Sequence, residues 1–76
     1  MTVGVDGQRI RELREARVIE RRELAELAGV GYTTIYKMET KDHLPRLSTV
    51  RSVAKVLKVK PDELLVTQEE VANAAG

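Results

Sequence analysis

Cysteine, tryptophan and phenylalanine are absent from this chain of 76 residues, and two tyrosines are its only large aromatic side chains. Without thiols, the chain can form neither a disulfide framework nor a thiolate metal site. Its longest apolar stretches are too short to span a bilayer, and its N-terminus lacks the basic and apolar regions of a signal peptide. We therefore expect a single-domain cytoplasmic protein with no membrane contact. At this size a domain buries only about 60% of its unfolded surface, which predicts marginal stability.

Neither sign of charge dominates, because 13 Lys or Arg stand against 12 Asp or Glu and the net charge is +1. Many nucleic-acid-binding domains are strongly basic, so the total charge does not favour that class. Much of the acid alternates with base along predicted helices, as in RELRE, which is typical of solvated charge pairs. A basic surface must therefore be local, and the candidates are Arg21, Arg22 and Lys37.

The side chains capable of catalysis form no convincing set. His43 is the only histidine and lies beside Asp42 in a polar loop, whereas metal and acid-base sites need several convergent groups. Ser48 is better explained as a helix cap than as a nucleophile, and no glycine-rich phosphate loop follows a strand. We predict no enzyme activity, no cofactor, no metal and no small-molecule substrate.

Apolar periodicity predicts an all-α, compact domain of five helices and no strand over residues 1–66, followed by a tail or short helix over residues 67–76. Residues that favour helix starts predict where three of the helices begin. Asp6 caps the first helix, Ser48 caps the fourth, and Pro61 opens the fifth. The fourth helix has the clearest apolar stripe in the chain, at i, i+3, i+4 and i+7. That stripe consists of Val50, Val53, Ala54 and Leu57.

Residues 21–40, RRELAELAGVGYTTIYKMET, have the pattern of two short helices joined by a tight turn. Gly29 can adopt the left-handed conformation that closes a helix, and Ala25 is small enough to let the two helices cross closely. The predicted inward residues of the pair are Leu24, Ala28, Val30, Ile35 and Met38. A helical wheel places four residues of the second helix on the outward face, namely Tyr32, Thr33, Tyr36 and Lys37. These can reach base edges or phosphates, and an ordinary solvated surface is the alternative.

The order and spacing of these elements resemble the Cro/C1-type, or XRE, family of phage and bacterial repressors. The resemblance runs from about Gly7 to Val66 and includes QRIRELREAR, ELAELAGV, TIYKME, LSTVRSVAKVLKV and PDELL. It implies a lambda-repressor-like fold and a transcriptional regulator, specifically a repressor, that places its third helix in the major groove of double-stranded DNA as a homodimer. The alternative is a protein-interaction module with the same fold, such as an antitoxin or coactivator-like adaptor, which the near-neutral charge keeps open.

The resemblance also implies roles for single residues. It assigns base readout to Tyr32, Thr33 and Lys37, with Tyr36 on the same face, and contact with the DNA phosphates to Arg21. We predict further phosphate contacts at Arg22, Thr40 and Lys41. Arg14 and Glu39 match a structural ion pair of the family, and independent surface charges are the alternative. A dimer interface is predicted at Leu64, Leu65 and Val66, because apolar residues near the end of the domain have little chain to cover them. Packing onto the first helix is the alternative for these three.

The sequence departs from the family pattern in two places. Glu20 and Gly31 stand where the family often has Ser or Thr at the starts of the two motif helices. Lys41, Asp42 and His43 replace the glycine and basic residues that often follow the glutamate, so an acid lies at one expected phosphate-contacting corner. Neither departure forbids the fold, but the second predicts weaker phosphate binding through that loop.

Overall fold

The computed structural model describes residues 2–40 and 44–67 of the chain. This part forms four α-helices, one 3-10 turn and one two-stranded antiparallel sheet. No helix within it is long and apolar enough to cross a membrane. In chain order, the elements are β1 (Thr2–Val5), α1 (Gly7–Ala16), α2 (Arg21–Ala28), α3 (Tyr32–Thr40), α4 (Leu47–Leu57), the 3-10 turn (Pro61–Leu64) and β2 (Leu65–Thr67).

A single hydrophobic core receives side chains from all of the helices, from the 3-10 turn and from β1. The predicted stripe of α4 is confirmed, because its four apolar residues are all buried. The predicted inward side of α2 and α3 is also confirmed, with Ala28 and Val30 partly buried against the core. The buried hydrophobic residues are Val5, Ile10, Leu24, Ala25, Ile35, Met38, Val50, Val53, Ala54, Leu57 and Leu64.

Two of the predicted helix ends are confirmed and one is wrong. The Asp6 side chain caps α1 by accepting the backbone N–H of Arg9 at 3.0 Å. Gly29 closes α2 in the left-handed conformation, with φ +70°, as only a residue without a β-carbon does at no steric cost. Ser48, by contrast, does not cap α4, because the helix already begins at Leu47 and its N-cap is Arg46.

The predictions of five helices and no strand are wrong. Pro61 opens a single 3-10 turn, and the chain then becomes extended at Leu65, with φ −106° and ψ 142°. Leu65 pairs with Val5, and the N–H of Asp6 bonds to the carbonyl of Leu64 at 2.8 Å. β-Branched residues such as Val5 suit extended backbone, and the antiparallel pairing satisfies peptide groups that a longer helix would have bonded internally.

The burial of the apolar residues at the end of the domain also differs from the prediction. Leu64, Leu65 and Val66 were expected to have little chain covering them. Leu64 is fully enclosed in the core of the chain itself, so its side chain is not available to a second copy and its assignment to a dimer interface is wrong. Leu65 and Val66 are half-buried in the sheet, and a role for them between two copies stays a prediction. Of the tail or short helix predicted over residues 67–76, Thr67 is instead the last residue of β2, and residues 68–76 lie outside the described residues.

Candidate nucleic-acid interface

The third helix divides cleanly into two faces. Ile35 and Met38 are completely buried, whereas Tyr32 and Tyr36 are 47% and 42% exposed. Thr33 and Lys37 are exposed on the same outward side as the tyrosines. The division predicted from the helical wheel is therefore confirmed: the core fixes one side of α3, and a surface of two phenols, a hydroxyl and an ammonium group is presented on the other.

A buried carboxylate at the end of α3 ties this helix to α1. Arg14 donates to Glu39 twice, from Nε to Oε2 at 2.7 Å and from Nη2 to Oε1 at 3.1 Å. Its remaining Nη1 donates to the carbonyl of Ile19 at 2.8 Å. The Glu39 side chain is fully enclosed. The structure thus brings the predicted pair together in a two-bond geometry, which fixes orientation more strictly than a single contact does.

Arg21, in the first turn of α2, reaches the same carboxylate. Its Nε donates to Glu39 Oε1 at 3.1 Å, and its guanidinium carbon lies 5.3 Å from the centre of the Tyr36 ring, within the range of a cation–π interaction. The pKa of Arg21 is raised above its ordinary value, firstly by the hydrogen bond to Glu39 and then by Tyr32. Sequence reasoning missed this contact, because residues 18 positions apart on separate helices share no periodic signal.

An open cleft of about 490 Å³ lies beside the start of α2 and the start of α3. Three arginines contribute to its wall, and the N-cap of α2 makes no side-chain hydrogen bond to the helix. The first N–H groups of α2 therefore have no cap acceptor in the described part of the chain, and such groups attract anions. The lining residues are Arg14, Glu20, Arg21, Arg22 and Tyr32.

The remaining residues assigned to phosphate differ in their surroundings. Arg22 is exposed at the start of α2. Thr40 is also exposed. Its hydroxyl donates to the carbonyl of Tyr36 at 2.7 Å, so the hydroxyl proton is engaged in a hydrogen bond within α3 and not directed at a phosphate. Lys41 lies outside the described residues, as do Asp42 and His43.

Comparisons with known proteins give one family and several regulators. The family model described as helix-turn-helix matches residues 10–64. Among curated proteins, the chain is 40% identical over 60 residues to the uncharacterized HTH-type transcriptional regulator RghRB of Bacillus subtilis (strain 168). This match covers 78% of the chain but 43% of RghRB, so the chain spans less than half the length of that relative.

Two solved structures share both the fold and part of the sequence. The restriction-modification controller protein C.AhdI from Aeromonas hydrophila has 32% identity and a TM-score of 0.69, with 75% of this chain and 86% of that protein covered. The P22 c2 repressor, solved in complex with a synthetic operator, has 30% identity and a TM-score of 0.73, with 78% and 89% covered.

Proposed function

Because the chain belongs to the Cro/C1-type helix-turn-helix family, we propose that it is a transcriptional repressor that binds specific double-stranded DNA. The observation that carries the proposal is the outward face of α3, where Tyr32 and Lys37 are exposed while Ile35 and Met38 are buried. An α-helix fits the major groove of B-DNA, and polar side chains on its outer face can contact base edges there.

Within this face, Lys37 has the chemistry to discriminate bases. Its ammonium group can donate to O6 and N7 of guanine, and good contacts of this kind give about 1–3 kcal/mol of discrimination. Thr33 precedes it by one helical turn and can place its methyl group against a thymine methyl. Tyr32 begins the helix, where its ring can pack on a sugar and its hydroxyl can reach a phosphate.

The cleft at the start of α2 supplies the phosphate contact that this docking requires. Arg21 and Arg22 add positive charge where the N-terminal amides of α2 already favour an anion. Backbone contacts of this kind hold a protein in register on the duplex without selecting a sequence. A local basic cleft therefore accounts for DNA binding by a chain whose net charge is only +1.

The proposed assembly on DNA is a homodimer. One helix of nine residues reads too few base pairs to select a single genomic site, whereas two copies read the two halves of a palindrome. The P22 c2 repressor, a similar protein, has been solved in complex with a synthetic operator, which supports binding of double-stranded DNA by this chain.

Selection of bound fragments from random duplex DNA tests the proposal. The wild-type chain is expected to enrich a two-fold symmetric motif, and Lys37→Ala is expected to relax the preference at one symmetric pair of positions. Lys55→Ala removes an exposed lysine from α4 and serves as the matched control, which should leave the motif unchanged. Failure of the wild-type chain to enrich any motif would overturn the proposal in favour of a protein-interaction module.

A further inference from the structure

Arg21 makes two contacts of different kinds, one inside the fold and one on the outward face of the motif. One is the fully enclosed carboxylate of Glu39, bound through Nε at 3.1 Å. The other is the ring of Tyr36, whose centre is 5.3 Å from the guanidinium carbon. Arg21 therefore connects a rigid part of the fold to a side chain on the face of α3 that is proposed to contact bases.

The carboxylate end of this connection is buried and held by several hydrogen bonds. Glu39 also accepts two hydrogen bonds from Arg14, whose third donor atom is held by the carbonyl of Ile19. The Nε–H of Arg21 is bonded to this carboxylate, which restricts where its planar guanidinium can lie. The side chain of Arg21 is thus held through Glu39, which α1 and α3 position together.

The tyrosine end, in contrast, is partly open to solvent. Tyr36 is 42% exposed, and an exposed aromatic side chain ordinarily samples several staggered rotamers. A cation over the ring face favours one of them by about 0.5–1 kcal/mol at exposed sites, equivalent to about a two- to fivefold change in population.

We propose that Arg21 is a positioning residue for DNA recognition: it favours one orientation of the Tyr36 ring on the outer face of α3 and so sharpens the base preference at the operator positions that Tyr36 contacts. The inference rests on the proposed function, since Tyr36 meets bases only if α3 enters the major groove. This positioning role is compatible with the phosphate contact proposed for the same cleft. Arg21 binds Glu39 through Nε, and its other two nitrogen atoms can donate to a phosphate.

Arg21→Lys separates the two roles. Lysine keeps the positive charge that a phosphate needs, but it has no planar guanidinium to bond Glu39 and cover the ring at once. Selection from random duplex DNA should show about a two- to fivefold weaker preference at the positions affected by Tyr36→Ala. Preferences affected by Lys37→Ala should stay unchanged, and Arg51→Lys, the matched control at an exposed arginine of α4, should leave every position unchanged.

The double variant Arg21→Lys, Tyr36→Ala isolates the coupling between the two side chains. In the Tyr36→Ala background, Arg21→Lys is expected to cause no further loss of preference. A uniform loss of affinity at all sequences, or the same loss in both backgrounds, would overturn the inference, as would unchanged preferences in Tyr36→Ala.

A second measurement needs no DNA. Nuclear Overhauser contacts between the Tyr36 ring protons and the Arg21 side chain are expected in the wild-type protein. The Tyr36 ring is expected to average between rotamers in Arg21→Lys, while amide shifts of the core residues stay in place. An unchanged, single ring orientation in Arg21→Lys would overturn the inference. A wild-type chain that shows the contacts but selects no DNA sequence would instead refute the proposed function.

Discussion

Gly7, the first residue of α1, lies against the last turn of α3 so closely that a β-carbon there would stand 2.5 Å from the carbonyl oxygen of Met38. It would also stand 2.7 Å from the carbonyl oxygen of Glu39. Both atoms belong to the backbone of a helix, so neither can move aside without shifting α3. The absence of a side chain at Gly7 therefore allows the close packing of these two helices.

We expect Gly7→Ala to lower the free energy of unfolding by about 1–3 kcal/mol, the usual cost of forcing extra atoms into a packed contact. Urea denaturation followed by circular dichroism measures this. Gly31→Ala is the matched control, because a β-carbon at Gly31 would meet no atom within 4 Å. Equal stabilities of the two variants would contradict the close approach at Gly7.

Glu39→Gln tests the buried carboxylate. The change keeps the shape of the side chain but removes the negative charge that Arg14 and Arg21 share. Breaking a buried ion pair is strongly destabilising, and we expect a loss on the order of 3 kcal/mol. The same denaturation experiment on Glu15→Gln provides the comparison, since Glu15 pairs with Arg11 at 3.5 Å on the exposed surface of α1. Exposed pairs of this type contribute about 0–1 kcal/mol, so similar losses for both variants would refute the structural role of Glu39.

Val18 occupies a conformation that its side chain disfavours. It follows the C-cap of α1 with φ +55°, and it is 90% exposed. For a β-branched residue, this left-handed region is a steric outlier. We expect Val18→Asn to raise the free energy of unfolding by about 1 kcal/mol, because asparagine tolerates this conformation far better.

Lys58 offers a control for that prediction. It closes α4 with φ +58°, nearly the same backbone conformation, but its side chain is not β-branched. Lys58→Asn should therefore stabilise the protein less than Val18→Asn does, as measured by thermal unfolding. The reverse order would show that strain at Val18 is not the cause.

Arg22 permits a direct test of phosphate binding at the cleft, because it is exposed and lies apart from the Glu39 hydrogen bonds. We expect Arg22→Ala to weaken binding to specific and unrelated duplexes by similar factors. The slope of the logarithm of affinity against the logarithm of salt concentration should fall by about one unit. Fluorescence anisotropy at several salt concentrations measures both quantities, and an unchanged slope would remove Arg22 from the interface.

The proposed homodimer predicts a concentration-dependent mass. Sedimentation equilibrium of the 8.5 kDa chain with a palindromic duplex should give two copies per DNA molecule. The free chain is expected to approach twice its mass as its concentration rises. A strict monomer at high concentration, both free and on DNA, would contradict the prediction.

The features predictable from the sequence were those set by nearby residues. The stripe of α4, the turn at Gly29 and the two faces of α3 each follow from spacing within one or two helical turns. The contact of Arg21 with Glu39 depended instead on how two helices cross, and periodicity carries no information about the crossing. Ser48 had the chemistry of a cap, but α4 begins one residue earlier at Leu47.

The two-stranded sheet was not predicted for the same reason: it joins residues that are far apart in the sequence. PDELL has the proline and the acids that favour a helix start, yet only one turn forms before Leu65 pairs with Val5. Short segments such as TVGV and LVT are weak strand signals on their own, since isolated two-stranded pairs are marginal in water. They became strands here because the core provides a surface on which they can pair, and the side chain of Val5 in β1 is buried in that core.

Pairing of β1 with β2 also has a kinetic consequence. It joins segments about 60 residues apart, as in Val5 and Leu65, whereas a helix-turn-helix forms from neighbours along the chain. Closing so long a loop has a high entropic cost, so sheet pairing should follow the rate-limiting step of folding. Substitutions such as Val5→Ala are then expected to accelerate unfolding while leaving the folding limb of the chevron nearly unchanged. The strand pair would thus act mainly on the lifetime of the folded domain rather than on the speed with which it forms.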